Sequence, residues 1–323
     1  MREIGSFIEL EFPKGKEWFK GDENVARLNT GRAAIWHAFR LTGAKSIWIP
    51  FYQCESVREF LSQKNCAIKY YHQDKNFNPI DLHPEPDEAV LLVNYYGIMS
   101  QKRMRILSTD YPNVIIDNCQ AFFCPPLSGV QNVYSARKFV GVPDGAYVVG
   151  TSAHQYAEEY PQCYSSDTAG FLLQRIEYGC EGKGYEARRL NEDRIDTEDI
   201  MRMSALTRTI LDGTDYNHII QKRKNNFKTA SKLFADINEL HPSHFADEGT
   251  VPMVYPLLVE DDRLLERLIA AKHFQGHWWH YLTEEMPEDS FEYRLSRYMV
   301  PITIDQRYDA DDLEYLRSVV DAK

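Results

Sequence analysis

The chain has 323 residues, 43% hydrophobic and 26% charged, with a formal net charge of −11. That length holds one large domain, or a large and a small one, and an aromatic content of 13% at this charge density excludes intrinsic disorder. An acidic chain with no Lys/Arg block lacks the electrostatic footprint that grips phosphate backbones, so the expected partner is a small molecule and not nucleic acid.

The start, Met1-Arg2-Glu3-Ile4-Gly5, carries charge where a signal peptide needs an apolar run. Apolar residues then recur at helical spacing through Ile35, Ala38, Phe39 and Leu41, after the start signal Asn29-Thr30-Gly31-Arg32, which predicts a helix from near Gly31 to Thr42. Short apolar runs follow at 46–50, 67–71, 89–94, 114–117, 130–134 and 146–150, with helix-like segments at 54–64 and 101–109 between them. Strands alternating with helices predict a largely parallel α/β sheet whose chemistry sits on the loops after the strands. Beyond Gly150 the chain turns polar and aromatic-rich. Gly179-Cys180-Glu181-Gly182-Lys183-Gly184 follows no clear strand and lacks dinucleotide-site spacing, so it reads as a mobile connector. Two helices broken near Gly213 are expected over 197–234, and a smaller α/β unit over the remainder. The expected division is 1–205 for a large domain and 206–323 for connector helices and a small C-terminal domain. No apolar run reaches the roughly 18 residues of a membrane span.

Cys54, Cys66, Cys119, Cys124, Cys163 and Cys180 form no C-x-x-C pair. In a chain of this length they read as reduced, mostly buried thiols, which places the protein in the cytoplasm. His277-Trp278-Trp279-His280 offers two histidines but no third ligand, so it reads as aromatic packing and no metal is expected. Tyr95 and Tyr96 end a strand at the presumed active edge, where one faces substrate or both simply pack.

Three features carry the chemical signal. Thr30, Gly31 and Arg32 lie at a helix start, where unpaired amides and the positive dipole end hold phosphate. Asp117 follows Val114-Ile115-Ile116 at the carboxyl end of a buried strand, with Gln120 close behind. Ser135-Ala136-Arg137-Lys138 follows another strand-like run. Each alone has a plain structural explanation: an N-cap, an aspartate capping a turn, a solvated lysine. In this order they are what a pyridoxal 5'-phosphate (PLP) site needs. Lys138 would bond the cofactor's aldehyde and then move protons, and Asp117 would keep the pyridine nitrogen protonated. The helix-start amides and Ser135 would hold the phosphate, and Gln120 would reach the phenolic oxygen.

The pattern resembles fold type I PLP enzymes, and within them the nucleotide-sugar aminotransferase family often called DegT/StrS. The resemblance runs over nearly the whole chain: Asn29 to Ala34 is similar to the family's Gly loop, Ile47 to Pro50 to its strand ending in proline, Asp117 to Ala121 to its Asp-x-x-Gln/His-Ala signature, and Ser135 to Gly145 to its lysine loop. It implies a large mostly parallel sheet domain with a smaller C-terminal α/β domain, and a homodimer. It also implies transfer of an amino group from a donor such as glutamate to a keto group on a nucleotide-linked sugar or related precursor. Lysine at position 138 implies amino transfer, because relatives with histidine there are dehydratases. The ring-stacking position aligns near Cys54, with Tyr52 the nearest aromatic. The chain departs from the family in the Ser135 to Lys138 spacing, in Pro143-Asp144-Gly145-Ala146 and in lacking an Asn-Tyr-Arg segment around 191–203. Those departures keep two alternatives open: a catalytically idle binding or structural subunit, and a PLP lyase.

Overall fold

The computed structural model describes residues 4–21 and 23–322; the charged start Met1, Arg2 and Glu3 lies outside the described residues. The first half runs β1 (Val25–Leu28), α1 (Gly31–Thr42), β2 (Ser46–Pro50), α2 (Glu55–Gln63), β3 (Ala67–Gln73), β4 (Pro79–Ile80), β5 (Glu88–Val93), α3 (Gln101–Ser108), β6 (Val114–Asn118), β7 (Gln131–Ser135) and β8 (Ala146–Val149). The second half runs α4 (Gly170–Tyr178), α5 (Lys183–Thr197), α6 (Ala205–Asp212), α7 (Tyr216–Phe234), β9 (Val254–Leu258), α8 (Leu264–Ala270), α9 (Leu282–Glu285), α10 (Phe291–Tyr298), β10 (Met299–Thr303) and α11 (Ala310–Asp321).

Eight strands form one sheet in the order β1-β8-β7-β6-β5-β2-β3-β4. Pairs β3–β2, β2–β5, β5–β6 and β6–β7 are parallel; β4 and β8 flank them antiparallel, and β1, antiparallel to β8, runs with the central strands. Every residue of β5 and β6 is buried, as expected of central parallel strands covered on both faces. Ala89, Leu91 and Ile115 join the core beneath α1 and α2, while Val90, Leu92 and Ile116 join a second cluster on the other face with Tyr52, Tyr95 and Tyr96. A third cluster sits over Phe122, Tyr134 and Tyr147, and a fourth packs α7, α8 and α11 on the two-stranded antiparallel β9–β10 sheet.

The first helix forms for local reasons. Thr30 Oγ1 accepts from Ala33 N at 3.3 Å, and Gly43 closes the helix at φ 67°, where its N–H reaches Arg40 O. Ala33, Ala34 and Ala38 keep its buried face thin enough to lie close on the sheet.

The structure differs from the sequence reading in three places. The polar stretch after Gly150 contains the helical hairpin α4–α5, and Gly179 to Gly182 is the turn between its helices, with Gly179 and Gly182 at positive φ. No residue of α4 is buried, so core periodicity gave no signal there. The helix expected from Thr197 begins instead at Ala205, where Ser204 Oγ caps Thr207 N at 3.1 Å. Ile200 and Met203 before it are buried in extended chain that bonds to Asn29 and Arg27. Strands β1 and β4, of four and two residues, were not anticipated. All six cysteines are free, and no helix among the described residues is long and apolar enough to cross a membrane.

Candidate active site

The carboxyl ends of β2, β5, β6 and β7 bring the expected residues to one edge. Asp117 and Asn118 lie in register with Val133 and Tyr134, so the loop after β6 and the lysine turn after β7 leave the sheet side by side. Above them stands the start of α1. A Cβ built on Gly31 would lie 2.8 Å from Cys119 Sγ and 3.9 Å from Ser135 Cβ, so glycine allows this approach without displacing the sulfur. Backbone bonds tie the same loops: Ala136 N donates to Gly145 O at 3.0 Å, and Gly145 N donates to Asn29 O at 2.7 Å.

At the helix start, Ala33 N goes to Thr30 Oγ1 and Ala34 N to Thr30 O, while the amides of Gly31 and Arg32 have no partner among the described residues. Two open N–H groups at a positive dipole end suit an anion. The Arg32 guanidinium, however, turns away: it donates to Asp196 Oδ1 at 2.9 Å and to Ile195 O on α5, and lies 5.6 Å from the Phe60 ring centre. Ser135 is buried, and its side chain makes no capping bond to the lysine turn.

Lys138 ends the single 3₁₀ turn Ala136–Lys138 and is exposed, and its amine has no partner among the described residues. Asp117 is buried: Oδ1 accepts from Cys119 N at 2.9 Å and Oδ2 from Gln53 Nε2 at 3.2 Å. Cys119 reports on both groups. Burial pushes its thiol well above the ordinary value, the Asp117 carboxylate adds to that, and the Lys138 ammonium acts in the opposite sense. The parallel β6–β7 register brings the loops that carry the acid and the amine out side by side. Gln120 is buried, and its Oε1 accepts from Tyr96 N at 2.6 Å, leaving Nε2 as its free donor end.

The turn after β2 separates Tyr52 from Cys54. The Tyr52 ring is wholly buried, with its hydroxyl 2.8 Å from Tyr96 Oη and Trp279 edge-on at 4.3 Å, so it belongs to the core under the turn. Cys54 is half-buried and lies near enough to Cys119 to influence its thiol. Tyr95 and Tyr96 are also core: Tyr95 Oη lies 2.7 Å from both Tyr52 O and Gln73 Oε1. His277 and His280 lie in a loop, where His277 Nδ1 meets Met299 O and the neighbouring tryptophans pack on Tyr52 and Tyr96. Among the described residues no group of three or more His, Cys, Asp or Glu could hold a metal ion. Gln53 went unnoticed in the sequence, since nothing local to it signals a contact across two strands. Helix α5 was missed as well. It reaches the site loops through Arg32, through Asn191 Nδ2 to Pro143 O at 3.2 Å, and through Glu192 to Arg137.

No family model matches the sequence, and no curated protein matches it by sequence. Solved structures do match its fold. The sugar aminotransferase CalS13 from Micromonospora echinospora is 18% identical over 93% of this chain and 88% of its own, with a TM-score of 0.59. AtS13 from Actinomadura melliaura is 14% identical over 93% and 86%, with a TM-score of 0.62. An E. coli GDP-4-keto-6-deoxy-D-mannose-3-dehydratase, solved with bound hydrated PLP, is 13% identical over 92% and 87%, with a TM-score of 0.61. These likenesses establish the fold of this chain as that of fold type I PLP enzymes.

Proposed function

We infer that the protein is a PLP-dependent aminotransferase that moves an amino group to a keto group, on a nucleotide-linked sugar or a related precursor. The observation that carries this reading is geometric: parallel pairing of β6 and β7 sets the buried Asp117 beside the strand that leads into Lys138, and the open amides of Gly31 and Arg32 at the start of α1 close over Cys119 and Ser135. These residues suit PLP group by group. Lys138 would hold its aldehyde carbon, Asp117 would face its ring nitrogen, and the amides of Gly31 and Arg32 with the Ser135 and Thr30 hydroxyls would take its phosphate. Gln120 Nε2 would meet the phenolic oxygen, and Cys54, not the buried Tyr52, would line the ring face. When bound, PLP supplies an electron sink for the substrate carbon. Lys138, which is exposed, would take and return a proton at that carbon. Lysine at this position, where dehydratase relatives of the resembled family carry histidine, favours amino transfer.

The division at 205/206 belongs to the same proposal and is supported by the separate apolar cluster around β9 and β10. So does a homodimer, supported by the exposed Phe7, Ile8, Leu173 and Ile176. Six free thiols support the cytoplasm as its compartment.

The test is direct. Purified protein given PLP should turn yellow, and borohydride reduction should fix the cofactor on the peptide carrying Lys138. Adding glutamate should then convert the bound cofactor to its amine form. A colourless protein, or a label on another lysine, refutes the site; a yellow protein that releases ammonia from amino acids without amine formation is a lyase.

A further inference from the structure

We infer that Gln53 is a positioning residue that sets the carboxylate of Asp117 for a ring nitrogen, an inference that rests on the cofactor reading above. A buried carboxylate is usually held by a cation, which would lock its charge. Asp117 has no ion pair among the described residues and is held by two neutral donors, Cys119 N on Oδ1 and Gln53 Nε2 on Oδ2. Two donors on different oxygens fix the plane of the group and leave its charge unspent. With about four acceptor sites on a carboxylate, room remains for one further N–H.

The Gln53 amide is itself fixed from both ends. Its Oε1 accepts from Cys54 N at 2.7 Å, which settles which end of the amide faces Asp117. Its backbone carbonyl accepts from Tyr281 Oη at 2.7 Å, from the segment just before α9. Gln53 is 2% exposed, so water does not compete for these bonds. The side chain thus carries the position of Tyr281 to the acid beneath the site. Glutamate would have the same shape but no amide donor, and it would set a second carboxylate against Asp117, so that the pair would share a proton.

The experiment compares wild type with Gln53→Met, Gln53→Glu and Tyr281→Phe, each apo and with PLP. In Gln53→Met and Gln53→Glu the PLP dissociation constant, read by fluorescence quenching, should rise about tenfold, as expected for losing a hydrogen bond to a charged group. The pH midpoint of the bound cofactor's visible band should shift, and kcat should fall with the donor KM unchanged. Tyr281→Phe should show the same changes at smaller size. Apo Gln53→Glu should lose stability as pH rises from about 4 towards neutrality, because over that range the folded pair still holds its shared proton while the unfolded carboxyls have released theirs. Wild-type affinity and midpoint in the folded Gln53 variants, or a flat apo profile in Gln53→Glu, would overturn the role. A wild type that takes up no PLP would overturn the cofactor reading itself, and Gln53's role with it.

Discussion

Gly31→Ala puts the closeness of α1 to the β6 loop to a quantitative test. The added Cβ would stand 2.8 Å from Cys119 Sγ, against about 3.5–4.0 Å for a relaxed contact. Cys119 is buried, so turning its sulfur aside crowds packed neighbours and the alternative is that the helix start lifts. Overpacking of this kind costs about 1–3 kcal/mol. Cys119→Ala removes the sulfur and leaves its Cβ at 3.9 Å, an ordinary contact. The double variant should therefore resemble Cys119→Ala alone, which itself loses about 1 kcal/mol for one buried atom. Urea unfolding of the four proteins closes the cycle, with an expected coupling of about 1–3 kcal/mol. PLP affinity should fall in Gly31→Ala and return in the double variant, because the lifted amides are those assigned to the phosphate. Simple additivity of the two single effects would refute the contact and the placement built on it.

Three further outcomes are expected. Asp117→Asn should keep the fold and bind PLP, yet lose most turnover, because a neutral amide cannot hold the ring nitrogen protonated; full activity would contradict its role. Burial pushes the His273 imidazole down from 6.5 to about 4, so between those values the unfolded chain holds a proton that the folded chain refuses. Stability should fall as pH drops through that window, by about 3 kcal/mol in all, and urea titrations at pH 7 and pH 4.5 should show a shallower loss in His273→Asn. Gly97→Ala should be strongly destabilising, by more than about 2 kcal/mol, since φ is +69° and a Cβ would fall 2.2 Å from Gln120 O; an unchanged melting temperature would show that the loop gives way.

What was legible beforehand was what is written locally. Thr30 and Gly43 mark the ends of α1 by capping chemistry, and Val114 to Asp117 mark a buried strand by an unbroken apolar run. Asp117, Gln120, Ser135 and Lys138 stand out as candidates because each ends or follows such a run, where an α/β sheet presents its ligands. Other features are fixed by distant partners. Helix α4 buries nothing, so its Leu172, Leu173 and Ile176 look like any irregular apolar scatter. Tyr52 and Arg32 carry side chains suited to a site, yet tertiary contacts with Tyr96 and with α5 claim them. Gln53 became visible only once β2 and β6 were placed on either side of β5.

The Arg32–Asp196 pair makes the surface hairpin an obligatory part of the chain. The guanidinium is 6% exposed while its carboxylate is 65% exposed, so a cation set in an apolar wall depends on a counter-ion at the rim. Shortening the hairpin would strand that cation against the Phe60 ring, at a cost of about 3–5 kcal/mol, a large fraction of what holds a typical domain folded. Trimming these solvent-facing helices to obtain a smaller enzyme should therefore disturb the amino end of α1 together with the lysine turn, which α5 also holds through Glu192 and Arg137.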